Sequence, residues 1–323
     1  MLPVFFIYHI ITIKIGFVLN KIFKRGTDIM LGAFAGDIVG SIYEFNNIKT
    51  KEFPLFSRGC FATDDSVMTV AVCNALISYL RSGKTADVHG LLSSEMRRLG
   101  NLFPNAGYGG SFKQWLKNPQ WGPYNSYGNG SAMRVSSAGW LGDSIEEVIQ
   151  LATFSAEVTH NHPEGIKGAV ATAVCIFLAR QKLPKEEIRA YINEKYYTLD
   201  FTLNEIRDSY MFNEICQNTV PQAIEAFLEA NDFEDAIRNA ISIGGDSDTI
   251  AAITGSIAEA YWEIPEGIKK YVQFFLPIEL LSGYSEFQSY LKEKQAAFDK
   301  NVEADDLNVQ EDAILADGAQ SED

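Results

Sequence analysis

Two short acidic segments carry the residue types from which a hard-cation site could be built. Thr63-Asp64-Asp65-Ser66 directly precedes the apolar run VMTVAVCNALISYL, and Gly244-Gly245-Asp246-Ser247-Asp248-Thr249 directly precedes IAAITGSIAEAYW. One acid or threonine at a helix start is an ordinary cap, favoured by unpaired N–H groups and the helix dipole. Two such starts, each with a pair of carboxylates and a hydroxyl, exceed what capping requires. Mg²⁺ prefers carboxylate, hydroxyl and water oxygens, and two ions about 3.5–4 Å apart need carboxylates arriving from different elements. The rival metal patterns are missing from the sequence. There is no HExxH, no cysteine cluster and no DDxxD, and no glutamate closes a twelve-residue EF-hand loop from Asp246.

Other segments are weaker alone. Gly128-Asn129-Gly130-Ser131 could present backbone N–H groups to a diphosphate, as nests do, although such a run is more often a plain turn. His160 and His162 precede Pro163 at a turn between helices, with no third nitrogen or sulfur ligand nearby to make a zinc site. Tyr108 and Tyr127 could stack on a base or simply anchor their loop.

The elements that must position these residues read as helices. Between Met30 and about Lys294, apolar residues recur mostly at three- and four-residue spacing, with little strand alternation, which predicts an all-α domain. Ser144-Ile-Glu-Glu147 is a capping box opening a helix to about Val158. Pro163 opens a long apolar helix ending before Pro184, and Pro184, Pro221 and Pro265 read as first-turn prolines. The most apolar stretches, 66–80 and 165–180, are short and rich in small residues, hence central bundle helices rather than membrane spans. Residues 99–139, rich in Gly, Asn, Pro and Tyr, read as one long irregular segment, a length that usually signals function.

In order along the chain stand Gly32-Ala-Phe-Ala-Gly-Asp37 with Gly40-Ser-Ile-Tyr-Glu44, then Thr63-Asp64-Asp65-Ser66, then Gly128-Asn-Gly-Ser-Ala-Met-Arg134, then Thr159-His160-Asn-His162-Pro163, then Gly244-Gly245-Asp246-Ser247-Asp248-Thr249. This series resembles the ADP-ribosylglycohydrolases, the family of dinitrogenase-reductase-activating glycohydrolase and the animal ADP-ribosyl-acceptor hydrolases, over about residues 30–290. The resemblance implies a compact all-α fold with two Mg²⁺ ions, or Mn²⁺, in a cleft. By position it makes Thr63, Asp64, Asp65, Asp246, Asp248 and Thr249 the metal ligands. It also implies hydrolysis of the glycosidic bond between ADP-ribose and an acceptor such as an arginine or serine side chain. Glu44, Asp64 and Asp246 are then the catalytic carboxylates. Gly128, Asn129, Gly130 and Ser131 form the diphosphate and ribose loop, and a histidine at the His160 or His162 position lines the substrate cleft, where Tyr108 or Tyr127 could stack on the adenine.

Composition bounds the partners. The chain has 323 residues, 46% hydrophobic and 21% charged, which fits a folded soluble chain. With 27 Lys+Arg against 42 Asp+Glu the net charge is −15, so no general nucleic-acid grip is expected. Four cysteines without finger spacing point to a reducing cytoplasm. The expected substrate is an ADP-ribosylated protein or other ADP-ribose conjugate, bound by a monomer. Three regions are expected: an extension over 1–29, a domain over 30–296, and an acidic disordered tail over 297–323 holding nine of the acids. The apolar start of the extension is interrupted by His9 and Lys14, and readings as a gene-model extension upstream of Met30, an appended helix or an anchor all stay open. Two non-enzymatic alternatives also stay open: a binding or immunity protein that blocks a cognate ADP-ribosyltransferase, and a structural crystallin-like relative.

Overall fold

The computed structural model describes residues 29–318, and among them fifteen helices follow one another with no strand. A single isolated bridge pairs Gly128 with Ile215. One compact unit extends to Ser285 and holds every residue of the site described below, and a second takes in the residues from Glu286 onward. No helix among the described residues is long and apolar enough to cross a membrane.

The site is positioned by four helices, α1 (Leu31–Gly40), α2 (Asp64–Arg81), α3 (Pro163–Arg180) and α4 (Ser247–Tyr261). All of α1 is buried, and its glycines make that burial possible by removing side chains from the face that meets α4. A Cβ at Gly32 or Gly36 would overlap the carbonyl oxygens of Gly255 and Ala251, and one at Gly40 would lie 2.6 Å from the Asp248 amide nitrogen. Each helical glycine costs roughly 0.5–1 kcal/mol relative to alanine, and near-contact of the two backbones offsets it. The start of α1 is closed from α4 as well, where Glu259 Oε2 accepts the Gly32 N–H at 2.7 Å. This packing sets Asp37 of α1 beside the acidic start of α4.

Local signals explain the helix starts. Thr63 caps α2 by accepting the Asp65 N–H at 3.3 Å, and α3 begins with Pro163 at its first turn behind His162. Pro184 and Pro265 stand immediately before helices Lys185–Lys195 and Glu266–Phe275. Pro221 departs from the expectation, since it lies inside the helix Cys216–Glu229 rather than at its start. That helix starts earlier, at the bridge between Ile215 and Gly128, so tertiary pairing places its first turn upstream of the proline. The long irregular segment is also more regular than its composition suggests. It contains the helices Gly110–Lys117, Gly130–Met133 and Ser136–Leu141, and the buried Phe112 and Trp115 of the first, Met133 of the second and Trp140 of the third tie them to the core.

The last helix, Ile278–Gly318, continues through residue 297, so no helix end marks the expected boundary there. No glycine or proline interrupts the sequence from Tyr284 to Asp317, which permits that continuity. The extension expected over 1–29 lies outside the described residues except for Ile29, and so do residues 319–323.

Candidate functional site

The two acidic helix starts meet around Asp37, a residue that spacing alone does not single out. Asp37 is the one ionisable side chain of α1 and is fully buried. Its carboxylate accepts the Thr63 N–H at 3.0 Å, the Thr63 hydroxyl at 2.7 Å, the Ser66 N–H at 3.0 Å and the Ser66 hydroxyl. It therefore binds the start of α2 to α1. The Thr63 hydroxyl donates to Asp37, accepts the Asp65 N–H and also lies 3.4 Å from Asp65 Oδ2.

Carboxylate oxygens of Asp37, Asp65 and Asp248 lie within 4.8 Å of one another, and those of Glu44, Asp246 and Asp248 do the same. The two groups share Asp248. Asp65 Oδ2 accepts the Thr249 hydroxyl at 3.2 Å, but Asp65 Oδ1 is buried with no partner. Burying a carboxylate oxygen without a donor or cation is unfavourable, so this orphaned atom among converging acids fits a bound cation. Asp246 stands at the N-cap of α4 yet makes no capping bond. Its Oδ2 instead accepts from Asn129 Nδ2 at 2.7 Å. Asp64 is partly buried beside Gly107, where a positive φ of 113° and the lack of a Cβ let the backbone pass its carboxylate.

Asn47 joins the Glu44 loop to the glycine turn before Asp246. Its Nδ2 donates to Glu44 O at 2.9 Å and Gly245 O at 2.8 Å, while its Oδ1 accepts the Gly245 N–H at 2.8 Å. Gly244 and Gly245 both have positive φ, which lets the chain reverse tightly between the two helices.

Burial, and then mutual repulsion, raises the carboxyl pKa values throughout the cluster. Asp64, Asp65 and Asp248 are held well above the usual carboxylate range by burial first and by neighbouring aspartates next. Burial lifts Asp37 to about 6 and Asp246 to about 7 against opposing hydrogen bonds, and lifts Glu44 to about 8 with the help of Asp248, Asp37 and Glu214. The folded chain thus binds these protons more tightly than the unfolded chain. In the absence of metal, stability is expected to be fully present below about pH 4 as far as these groups are concerned, and to be lost as pH rises through about 6 to 8. Thermal melts in chelator at about pH 5 and pH 8 should show the lower midpoint at the higher pH, and a divalent cation should diminish that difference. Equal midpoints in chelator would count against a mutually repelling cluster.

A cleft of about 410 Å³ opens on these acids and is also lined by Phe112, Tyr124, Tyr127, Gly130, Arg134 and His160. That volume falls within the range of small-molecule sites. Tyr127 is 46% exposed, with its ring 5.1 Å from that of His162. The other expected cleft residues divide. Tyr108 is buried against Phe112, with ring centroids 5.4 Å apart, and does not reach the cleft wall. His162 caps α3, its Nδ1 accepting the Glu164 N–H at 3.1 Å. Ser131 is fully buried and donates to Gly165 O at 2.7 Å, so it stitches the loop to α3.

The glycine-rich loop is also held by its own bonds. Gly128 N–H donates to Ser126 Oγ at 3.1 Å and Asn129 N–H to Glu214 O at 2.7 Å, so neither amide is left for a ligand. The Asn129 side chain, rather than its backbone, reaches the acids. Asp37, Asn47, Tyr124 and Glu214 were not recognisable from spacing. The one local signal among them is Asp37, an isolated acid in an otherwise apolar helix.

A family model described as ADP-ribosylglycohydrolase matches residues 19–295. The mouse ADP-ribosylhydrolase ARH3 is 26% identical over an alignment covering 78% of this chain and 88% of the relative. ADP-ribosylarginine hydrolase Tri1 of Pseudomonas putida is 24% identical, with 88% and 81% covered. Among solved structures, a chain described as an ADP-ribosylglycohydrolase-related protein complex superposes with a TM-score of 0.60 at 21% identity, covering 83% of this chain and 97% of that one, a likeness of fold.

Proposed function

This chain belongs to the ADP-ribosylglycohydrolase family, and from that premise we propose that it is a Mg²⁺-dependent hydrolase that cleaves the bond between ADP-ribose and an acceptor side chain. The observation that carries the metal reading is the convergence of Asp37, Asp65, Asp246 and Asp248 with Glu44, which leaves a buried Asp65 oxygen without a partner. Asp37, Asp65, Asp248 and Thr249 would hold one ion, and Asp246 and Asp248 the other, with the Glu44 carboxyl beside them. Bound Mg²⁺ would supply Lewis acidity and a template for the distal ribose hydroxyls. A non-catalytic binding or structural protein has no use for this concentration of buried, mutually repelling acids.

Glycoside hydrolysis through an oxocarbenium-like state needs a proton for the leaving atom and a base for the attacking water. Glu44, on a loop lining the cleft within reach of Asp246 and Asp248, is the proton donor in this reading. Asp246, oriented by Asn129 Nδ2, is the base. Asn47 keeps the two in register by tying Glu44 to the turn before Asp246. Tyr124 and Tyr127 would flank the adenosine half.

The test is release of ADP-ribose from defined arginine-linked and serine-linked conjugates. Turnover of at least one conjugate is expected with Mg²⁺ and should disappear in EDTA. Full activity in EDTA would reject the metal reading, and no turnover of either conjugate with Mg²⁺ would reject these two acceptors.

A further inference from the structure

Arg134 is a buried cation without a carboxylate. It is 1% exposed, belongs to no ion pair among the described residues, and its Nε has no acceptor. Its Nη2 donates to Ser155 O at 2.7 Å and to Thr159 Oγ1 at 2.8 Å. The same Thr159 oxygen lies 2.8 Å from His160 Nδ1.

The direction of this chain follows from what each group can donate. A guanidinium has no acceptor, so Thr159 Oγ1 accepts from Arg134. Thr159 is fully buried, and its single hydroxyl proton meets no acceptor besides His160 Nδ1. If Nδ1 carried the ring proton, the buried threonine proton would be stranded without an acceptor, which is unfavourable. The ring proton therefore sits on Nε2. Burial and the nearby Arg134 charge keep His160 neutral, well below the usual histidine range.

His160 Nε2 faces the glycine-rich loop, where a Cβ on Gly130 would lie 3.2 Å from it and one on Gly128 3.5 Å from it. No protein acceptor meets Nε2 among the described residues, and His160 and Arg134 both line the cleft.

We propose that Arg134 and Thr159 are positioning residues that lock His160 as the Nε2–H tautomer, a fixed donor for a phosphate oxygen of the bound nucleotide diphosphate. This deepens the ADP-ribose reading above and rests on it for the identity of the ligand. The Arg134 charge polarises the threonine hydroxyl and the ring in series. It also places positive charge behind a loop in an otherwise acidic cleft, where a diphosphate would need it.

The tautomer is read on the free protein by ¹⁵N-histidine NMR, independently of any turnover. Wild type should show a protonated Nε2 and a pyridine-type Nδ1. Thr159→Val should disturb that pattern and weaken binding of ADP-ribose about tenfold, as loss of one hydrogen bond to a charged group does. Thr159→Ser should restore both, and binding of adenosine, which lacks phosphate, should differ little among the three proteins. A protonated Nδ1 in wild type would overturn the proposal. So would Thr159→Val with unchanged tautomer and affinity, or Thr159→Ser failing to retain the wild-type pattern. A wild-type protein with the expected tautomer but no hydrolase activity would count against the proposed reaction and leave the histidine assignment standing.

Discussion

Asp65→Asn is expected to lower hydrolysis of ADP-ribosyl conjugates more than about a hundredfold while raising the thermal stability of the metal-free protein. The opposed signs come from one cause. In the folded chain the Asp65 carboxyl is buried beside Asp37, Asp64, Asp246 and Asp248, and one of its oxygens has no donor. Near neutral pH, folding without metal must either protonate this group or accept its repulsion from the others. Asparagine has nearly the same shape, keeps an oxygen for the Thr249 hydroxyl and removes the charge. Function needs that charge if Asp65 holds a cation. Loss of a group outside the coordination sphere typically costs about 10–100-fold, so loss of a ligand should exceed that range. Melts in chelator with and without the substitution, paired with ADP-ribose release in Mg²⁺, measure both halves. Near-wild-type turnover would remove Asp65 from the metal site, whereas a fall in metal-free stability would mean that its unseen partners outweigh the repulsion.

Gly36→Ala is expected to destabilise the protein by about 3 kcal/mol or more, an unusually large effect for adding one methyl group to a helix. Helix propensity favours alanine by about 1 kcal/mol. That preference is overwhelmed because the new Cβ would overlap the Ala251 carbonyl, a backbone group of α4 that cannot rotate away as a side chain would. Overpacking of a core typically costs about 1–3 kcal/mol, and a backbone obstacle belongs at or beyond the upper end. The melting midpoint should fall by roughly 6 °C or more. Activity should fall with it, since separating α1 from α4 draws Asp37 away from Asp248. Gly267→Ala, in a helix where the added carbon meets nothing within 4 Å, is the control and should be neutral or slightly stabilising. A Gly36→Ala protein as stable as wild type would show that α1 and α4 can part without penalty.

The two acidic starts illustrate what local sequence makes visible. A second carboxylate beside each potential cap is conspicuous because capping needs only one, and periodicity places both pairs at the start of buried helices. The same local logic does not place Tyr108, Ser131 or His162. An exposed-looking Gly, Asn and Tyr composition resembles a ligand loop whether its side chains point to the cleft or into the core. Tyr108 packs on Phe112, Ser131 reaches Gly165, and His162 caps α3. Each is settled by a partner lying outside the loop motif or by local backbone geometry, neither of which a residue pattern displays.

By itself the sequence determined the all-helical class, the paired carboxylates from which a cation site could be built and the order of the segments that carry them, because helix period, caps and carboxylate pairs are properties of neighbouring residues. Only the tertiary structure decided that Asp37 joins the cluster, that the Asn129 side chain orients Asp246, and that Arg134 reaches His160 through Thr159. These depend on backbones brought together across long separations, above all by the glycine face of α1 against α4. Such an approach is limited by the absence of side chains, and a glycine in a sequence does not name the backbone it will meet.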